Sequence, residues 1–308
     1  MRIAHLSDPH LLDLGGVPPW RLIFNKRLTG YANLRLKRGH AHRPAFVDAI
    51  LDEVRGVHPD HVAITGDLTN LALEPEFERA LRAVRALGRS PHDVSVVPGN
   101  HDVYTAGAQR ASRFMKYFGE YASSDPGLDR SVQHPSGRFP FLRVRGVALI
   151  VGLSSAVSRL PLVASGWVGE AQLDALASAL RDPALRDLTP VVLAHHPAIN
   201  PESALRRAMR GLVDADALRD ALLGRPDALS LHGHLHRSGR RTVEREGASL
   251  HVLGATSASL EHEDGDRAAA YNVYDLDERG RLRSASARVW DPSRKDFYDA
   301  PLGALQDR

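Results

Sequence analysis

Short apolar runs alternate along this chain with amphipathic segments of helical period. The runs Ile3–Leu6, His61–Ile64, Val94–Val97, Leu142–Val144, Ala148–Leu153, Val191–Ala194, Ala228–Leu231, Leu250–Leu253 and Tyr271–Tyr274 read as strands. Between them, Ala45–Val54, Glu76–Leu87, Ala108–Tyr121, Glu170–Leu180, Glu202–Met209 and Asp214–Leu222 read as helices. Strand and helix alternate early, which predicts an α/β protein with parallel strands. After Phe139 the strands follow one another more closely, which predicts a second, partly antiparallel sheet. No repeat and no low-complexity linker breaks the pattern, so residues 1–308 read as a single domain.

Composition narrows the chemistry. There are no cysteines, which excludes disulfides, thiolate metal sites and thiol nucleophiles together. Any metal must be held by His, Asp, Glu or Asn, and the 16 histidines permit that. A net charge of +3 names no partner. The basic residues are mostly arginine, with lysine only at Lys26, Lys37, Lys116 and Lys295, a skew expected of a GC-rich bacterial genome. The apolar stretch at the N-terminus is too short for a signal peptide, and no run reaches the length of a membrane span, so the expected location is the cytoplasm.

Five polar clusters each sit just past a predicted strand: Asp8-Pro-His10, Gly66-Asp67, Gly99-Asn100-His101-Asp102, His195-His196-Pro197 and Gly233-His234-Leu235-His236. In open α/β sheets, ligands bind beyond the carboxyl ends of the strands. Taken singly the clusters are weak. Asp8 and Asp67 could cap helices, and Gly99-Asn100 could be turn chemistry. Gly-His-x-His is stronger, because residues i and i+2 of an extended chain share a face.

In this order the clusters resemble the calcineurin-like metallophosphoesterase superfamily, whose pattern is D-x-H, G-D, G-N-H-[DE], H and G-H-x-H. All five blocks are present from Asp8 to His236. The resemblance implies a two-sheet β-sandwich flanked by helices, with two divalent metal ions at its rim. It implies that one metal takes Asp8, His10, Asp67 and His236, and the other Asp67, Asn100, His195 and His234, with Asp67 bridging. Mixed nitrogen and oxygen ligation suits Mn, Fe, Zn or Co and fits Ca poorly. His101 is the expected catalytic non-ligand, protonating the leaving oxygen or stabilising charge. Asp102 is expected either to orient His101 or to cap a turn. His196 is expected to hydrogen-bond near the site. The remaining histidines, His42 among them, read as surface or structural.

For the substrate, His-His-Pro and Arg210-Gly211-Leu212 look like the bacterial branch of phosphodiesterases, which favours a cyclic nucleotide or a glycerophosphodiester. The alternative arises from about residues 15–43. That stretch carries Arg21, Lys26, Arg27, Arg35, Lys37, Arg38 and Arg43 with no acidic residue between Leu14 and Val47. Trp20, Phe24, Leu28, Tyr31 and Leu34 recur in it at helical spacing. It reads as a basic amphipathic insertion that either packs inward or meets anionic lipid at the inner face of the membrane through Arg35, Lys37 and Arg38. On the second view the enzyme would resemble UDP-2,3-diacylglucosamine pyrophosphatases. Nucleic acid is not expected, since no aromatic stacking platform is visible. A non-catalytic metal-binding scaffold is the least favoured reading, because no ligand is missing.

Overall fold

The computed structural model of the chain describes residues 1–23, 26–33 and 41–305. Two six-stranded sheets pack face to face. The first contains β1 (Arg2–Leu6), β2 (His61–Ile64), β3 (Val94–Val96), β12 (Ala270–Leu276), β13 (Leu282–Asp291) and β14 (Asp296–Pro301), in the order β14-β13-β12-β1-β2-β3. The strands β1, β2 and β3 run parallel, and β12 adds antiparallel to β1. The second contains β6 (Phe141–Arg145), β7 (Ala148–Gly152), β8 (Thr189–Leu193), β9 (Ala228–His232), β10 (Gly239–Arg245) and β11 (Ala248–Gly254), in the order β10-β11-β9-β8-β7-β6. Its centre is parallel and both its edges are antiparallel. A small hairpin, β4 (Val132–His134) and β5 (Gly137–Phe139), stands apart.

The alternation of side chains along β7, β8 and β9, buried on both faces, explains why these strands are mostly apolar. Ile150, Val191, Leu193, Leu229 and Leu231 share the inner core with Ile3 and Val62 of the first sheet. Leu149, Val151, Val192 and Ala228 point outward into a second core. That core is closed by Leu176 and Ala179 of α7 (Glu170–Arg181) and by Leu218 and Leu222 of α9 (Ala215–Leu222). On the other side, α3 (Pro44–Val57) buries Val47, Ile50, Leu51 and Val54, and α4 (Glu74–Arg85) buries Phe77, Ala80 and Val84. The expected sandwich flanked by helices is the observed architecture.

Every predicted strand run lies on an observed strand. The strands the pattern did not mark are β4, β5, β10, β13 and β14; β10 and β14 are edges with mostly exposed side chains. The expected helix over Ala108–Tyr121 is broken. Ser112 adopts φ 45°, a left-handed conformation that separates α5 (Ala106–Arg110) from α6 (Arg113–Phe118).

Among the described residues, the insertion forms α1 (Trp20–Ile23) and α2 (Arg27–Asn33). Its basic residues find partners from distant segments: Arg21 pairs with Glu74 at 2.7 Å and Arg43 with Glu261 at 2.8 Å. Arg27 is buried against the Leu71 carbonyl at 2.8 Å. Of the apolar stripe, Tyr31 packs on the core while Trp20 is 63% and Leu28 46% exposed; Leu22, outside the stripe, also packs on the core. Phe24, Leu34, Arg35, Lys37 and Arg38 lie outside the described residues. Among the described residues, no helix is long and apolar enough to cross a membrane.

One buried cation fastens the two sheets. Arg143 of the edge strand β6 is fully buried. Its guanidinium donates to the carbonyls of Ser123 at 2.8 Å, Pro91 at 2.8 Å, Val94 at 2.7 Å and Glu120 at 3.0 Å. Val94 begins β3, so the arginine links the edge of one sheet to the edge of the other. Burial pulls its pKa down to about 10, which leaves it charged at neutral pH. Arg143→Met should lower stability by about 2–4 kcal/mol in urea denaturation, since it strands several buried acceptors. A loss below about 1 kcal/mol would mean that the carbonyls are satisfied without it.

Candidate metal centre

The five clusters leave the carboxyl ends of β1, β2 and β3 in one sheet and β8 and β9 in the other, so they meet at one rim of the sandwich. The chain must turn sharply there to aim side chains back across the rim. Asp8, His10, Asp67, His234 and His236 all take left-handed backbone, with φ of 53°, 46°, 51°, 66° and 49°. Each such residue costs of order 1–3 kcal/mol and persists only where its surroundings impose it. Two glycines make room. A Cβ on Gly99 would fall 2.2 Å from Asp67 Oδ1, and one on Gly233 would fall 1.9 Å from Ser7 Oγ and 2.2 Å from Asp8 Oδ2. Backbone bonds lock the turns: Asp8 N–H to the Gly66 carbonyl at 3.0 Å and His10 N–H to the Asp67 carbonyl at 3.0 Å.

The side chains form two donor groups. In the first, His236 Nε2 lies 3.1 Å from Asp8 Oδ1 and 3.1 Å from His10 Nε2. In the second, His195 Nε2 lies 3.4 Å from Asp67 Oδ2 and 3.2 Å from Asn100 Oδ1. Atoms bound to one ion at about 2.0–2.2 Å sit about 3.0–3.5 Å from each other, so both groups fit a transition-metal ion. The same oxygen, Asp67 Oδ2, also lies 3.9 Å from His10 Nε2 and therefore faces both groups. Its other oxygen is occupied, accepting the His101 N–H at 2.7 Å.

Carbonyl acceptors fix the tautomers. His195 donates Nδ1–H to the Thr65 carbonyl at 2.7 Å, which turns Nε2 inward. His234 donates Nε2–H to the Arg210 carbonyl at 2.9 Å, which leaves Nδ1 as its free donor atom. Protonation states also suit a metal. Burial alone would raise the Asp67 carboxyl, but the facing imidazoles of His195, His101 and His10 hold it well below the usual carboxylate range. Asp8 is likewise lowered, with His236 and His195 outweighing its burial. Burial drives His10 well below the ordinary imidazole value, against the pull of Asp67. His195 goes the other way. Burial lowers it, but the charge and hydrogen bond of Asp67, with Asp8, raise it to about 9. Its proton then balances Asp67, and metal binding must displace it.

His101 stands beside both groups. Its ring is 5.0 Å from that of His10, and it shares a potential ligand cluster with His10 and Asp67. The Asn70 carbonyl accepts its Nδ1–H at 2.7 Å, and Tyr104 stacks on it at 5.3 Å and 14°. Of the two roles expected for Asp102, the structure shows the turn cap. Its carboxylate accepts from Gly99 N at 2.9 Å, Thr69 N at 3.0 Å and Leu68 N at 3.3 Å. Burial and the charge of Asp67 raise that carboxyl to about 7 against these donors. His196 is fully buried, donates to the Ala164 carbonyl at 2.9 Å and lies 4.3 Å ring to ring from His234.

Several neighbours were not legible in the sequence. Asn70 orients His101 and also donates Nδ2–H to the His10 carbonyl at 2.6 Å. His42, expected to be surface or structural, lies 5.1 Å from His10 and 6.0 Å from His236, with its Nδ1 bonded to Ser259 Oγ at 2.8 Å. Lys26, Tyr104 and Arg210 line the cavity over the site. No motif marks Asn70, His42 or Tyr104, while the sequence points to Lys26 only as part of the basic segment and to Arg210 only in the Arg210-Gly211-Leu212 turn.

The crowding at Gly233 gives a direct test. Gly233→Ala should displace Asp8 and cut metal occupancy of the purified protein, read by elemental analysis, while circular dichroism stays native. Full occupancy in that variant would remove Asp8 from the donor set.

Residues 1–238 match the family described as calcineurin-like phosphoesterase. Among solved structures, the chain is similar to a dimetal phosphatase from Danio rerio, with a TM-score of 0.58 and 14% identity over 99% of both chains. It is also similar to the purple acid phosphatase PPD1 from yellow lupin (Lupinus luteus) seeds, with a TM-score of 0.59 and 11% identity, covering 100% of this chain and 54% of that one. At these identities the likeness is one of fold. No curated protein matches the sequence significantly. With a family match over residues 1–238 that takes in every donor cluster, the chain belongs to the calcineurin-like phosphoesterase family.

Proposed function

We propose that this metal-dependent phosphoesterase is a phosphodiesterase with two metal ions. Asp8, His10, Asp67 and His236 would hold one ion. Asp67, Asn100, His195 and His234 would hold the other, with Asp67 Oδ2 common to both. Two divalent ions supply charge neutralisation for a phosphoryl group and activation of water. Asn100 adds an oxygen donor without adding charge. The observation that carries the diester reading is the shape of the site. The cavity over the donors, about 220 Å³, has Lys26, Gly30 and Tyr104 on one side. On the other it shares Leu162, Arg210 and His234 with a larger cleft. A phosphate between them has room for a substituent on either side, which a monoester would leave unused.

The protein groups then have separate tasks. The Asn70 carbonyl holds Nδ1–H of His101, so its Nε2 is the atom that can give a proton to the leaving oxygen. Tyr104, stacked on that ring, fixes its plane and shields one face from water. His101→Ala should keep both metals and lose roughly 10²–10⁴-fold in rate. The loss should shrink for a nitrophenol leaving group, and equal losses for good and poor leaving groups would exclude proton donation. Asp67→Ala should lose both ions by elemental analysis, and a variant holding two per chain would exclude the bridge. Bis(nitrophenyl) phosphate should be hydrolysed faster than nitrophenyl phosphate. A preference for the monoester would overturn the diester assignment.

The exposure of Trp20 and Leu28 supports a second reading, in which the insertion touches anionic lipid and the substrate is a lipid-linked nucleotide. Co-sedimentation with anionic vesicles should then weaken with salt and fall on Trp20→Ala. Absence of vesicle binding at low salt excludes it.

A further inference from the structure

The larger cleft beside the donors, about 660 Å³, has a chemistry of its own. Pro197, Ile199, Pro201, Leu205, Met209 and Leu235 form its apolar lining, and no Phe, Tyr or Trp is among the described residues around it. A nucleobase would find no Phe, Tyr or Trp face to stack on, only the imidazoles of His232 and the metal-facing His234. A saturated chain would gain from burial on every methylene, and unbranched Met209 can adapt to it. Leu162 is 85% and Leu205 73% exposed, so apolar surface continues from the cleft to its edge.

Charge points the same way. Arg206, Arg210, Arg237 and Arg241 line the cleft, with no Asp or Glu among its described lining residues, and Arg237 is paired with Asp266 at 3.3 Å. Arg210 stands where cleft and metal-facing cavity meet, since it lines both. Its carbonyl is fixed to His234, while its guanidinium makes no hydrogen bond or ion pair among the described residues. The backbone is thus tied to a metal ligand and the cationic head is available to an anion.

We infer that the cleft is the subsite for an aliphatic substituent of the phosphodiester, with Arg210 at its mouth holding a phosphate oxygen. The substrate class is an anionic alkyl or acyl phosphodiester rather than one whose substituents are both nucleosides or sugars. This rests on the phosphodiesterase reading and deepens it.

Alkyl methylphosphonates, monoanionic mimics of a diester, are suitable probes for calorimetry with the metal-loaded protein. From methyl to hexyl, affinity should rise roughly two- to fourfold per methylene, with an increasingly negative heat-capacity change. Arg210→Gln should weaken every ester alike, by roughly tenfold, because it removes an anion contact and no apolar surface. Leu205→Asp with Met209→Asp should flatten the chain-length series. Val213→Asp, at a residue 68% exposed but outside the cleft, should preserve it. A flat series in the native protein, or tighter binding of a phenyl ester than of hexyl, overturns the aliphatic subsite while leaving diester hydrolysis standing. Failure to bind any of the phosphonates, together with failure to hydrolyse bis(nitrophenyl) phosphate, overturns the phosphodiesterase reading itself.

Discussion

Asp8 and Asp67 are carboxylates taken almost wholly out of water, and the rest of the rim is organised around that fact. A buried carboxylate is costly unless hydrogen bonds and positive charge surround it. Here backbone N–H groups and imidazoles do so: Asp8 Oδ2 receives the His234 N–H at 3.1 Å, and Asp67 Oδ1 the His101 N–H. Those donors reach the oxygens only if the chain reverses immediately beyond each strand. The left-handed residues and the close approach at Gly99 and Gly233 follow from this requirement. The strain is met by ordered backbone bonds and by the packed sheets beneath.

This explains which parts of the molecule the sequence reveals. Ligands that must sit within a few residues of a strand end leave a compact signature beside an apolar run, so Asp8, His10, Asp67 and His195 are visible. Asn70 and Arg210 orient site histidines through their carbonyls, which every residue possesses, so residue type does not reveal that role. His42 reaches His10 only because Arg43 is tied back to Ser259 by a backbone bond of 2.7 Å, a pairing across the chain that no local pattern encodes. Arg143 is hidden in the same way, as its partners are carbonyls of other segments. The unmarked strands β10 and β14 carry polar side chains because they are edges, where water takes one side. For the insertion, the lack of nearby acids in the sequence says nothing about Glu74 or Glu261 arriving through the fold.

The tautomers complete the picture. A hydrogen bond to one ring nitrogen fixes which of the two is left to ligate, and here the Thr65 and Arg210 carbonyls do this for His195 and His234. Asn70 does the same for His101, which leaves one ring nitrogen available for proton exchange.

Each donor group draws on both sheets: Asp8 and His10 face His236, and Asp67 and Asn100 face His195. An ion in either group is therefore a rivet across the sandwich, joining residues as far apart in sequence as Asp8 and His236. Arg143 fastens the other end, near the start of β3. With the rivets withdrawn, the rim would be held across the sheets only by hydrogen bonds such as those of His195 to the Thr65 carbonyl and of His234 N–H to Asp8. Metal supply would then set how long the fold survives heating as well as how fast it turns over, since a ligand of the native state raises the free energy of unfolding with its concentration.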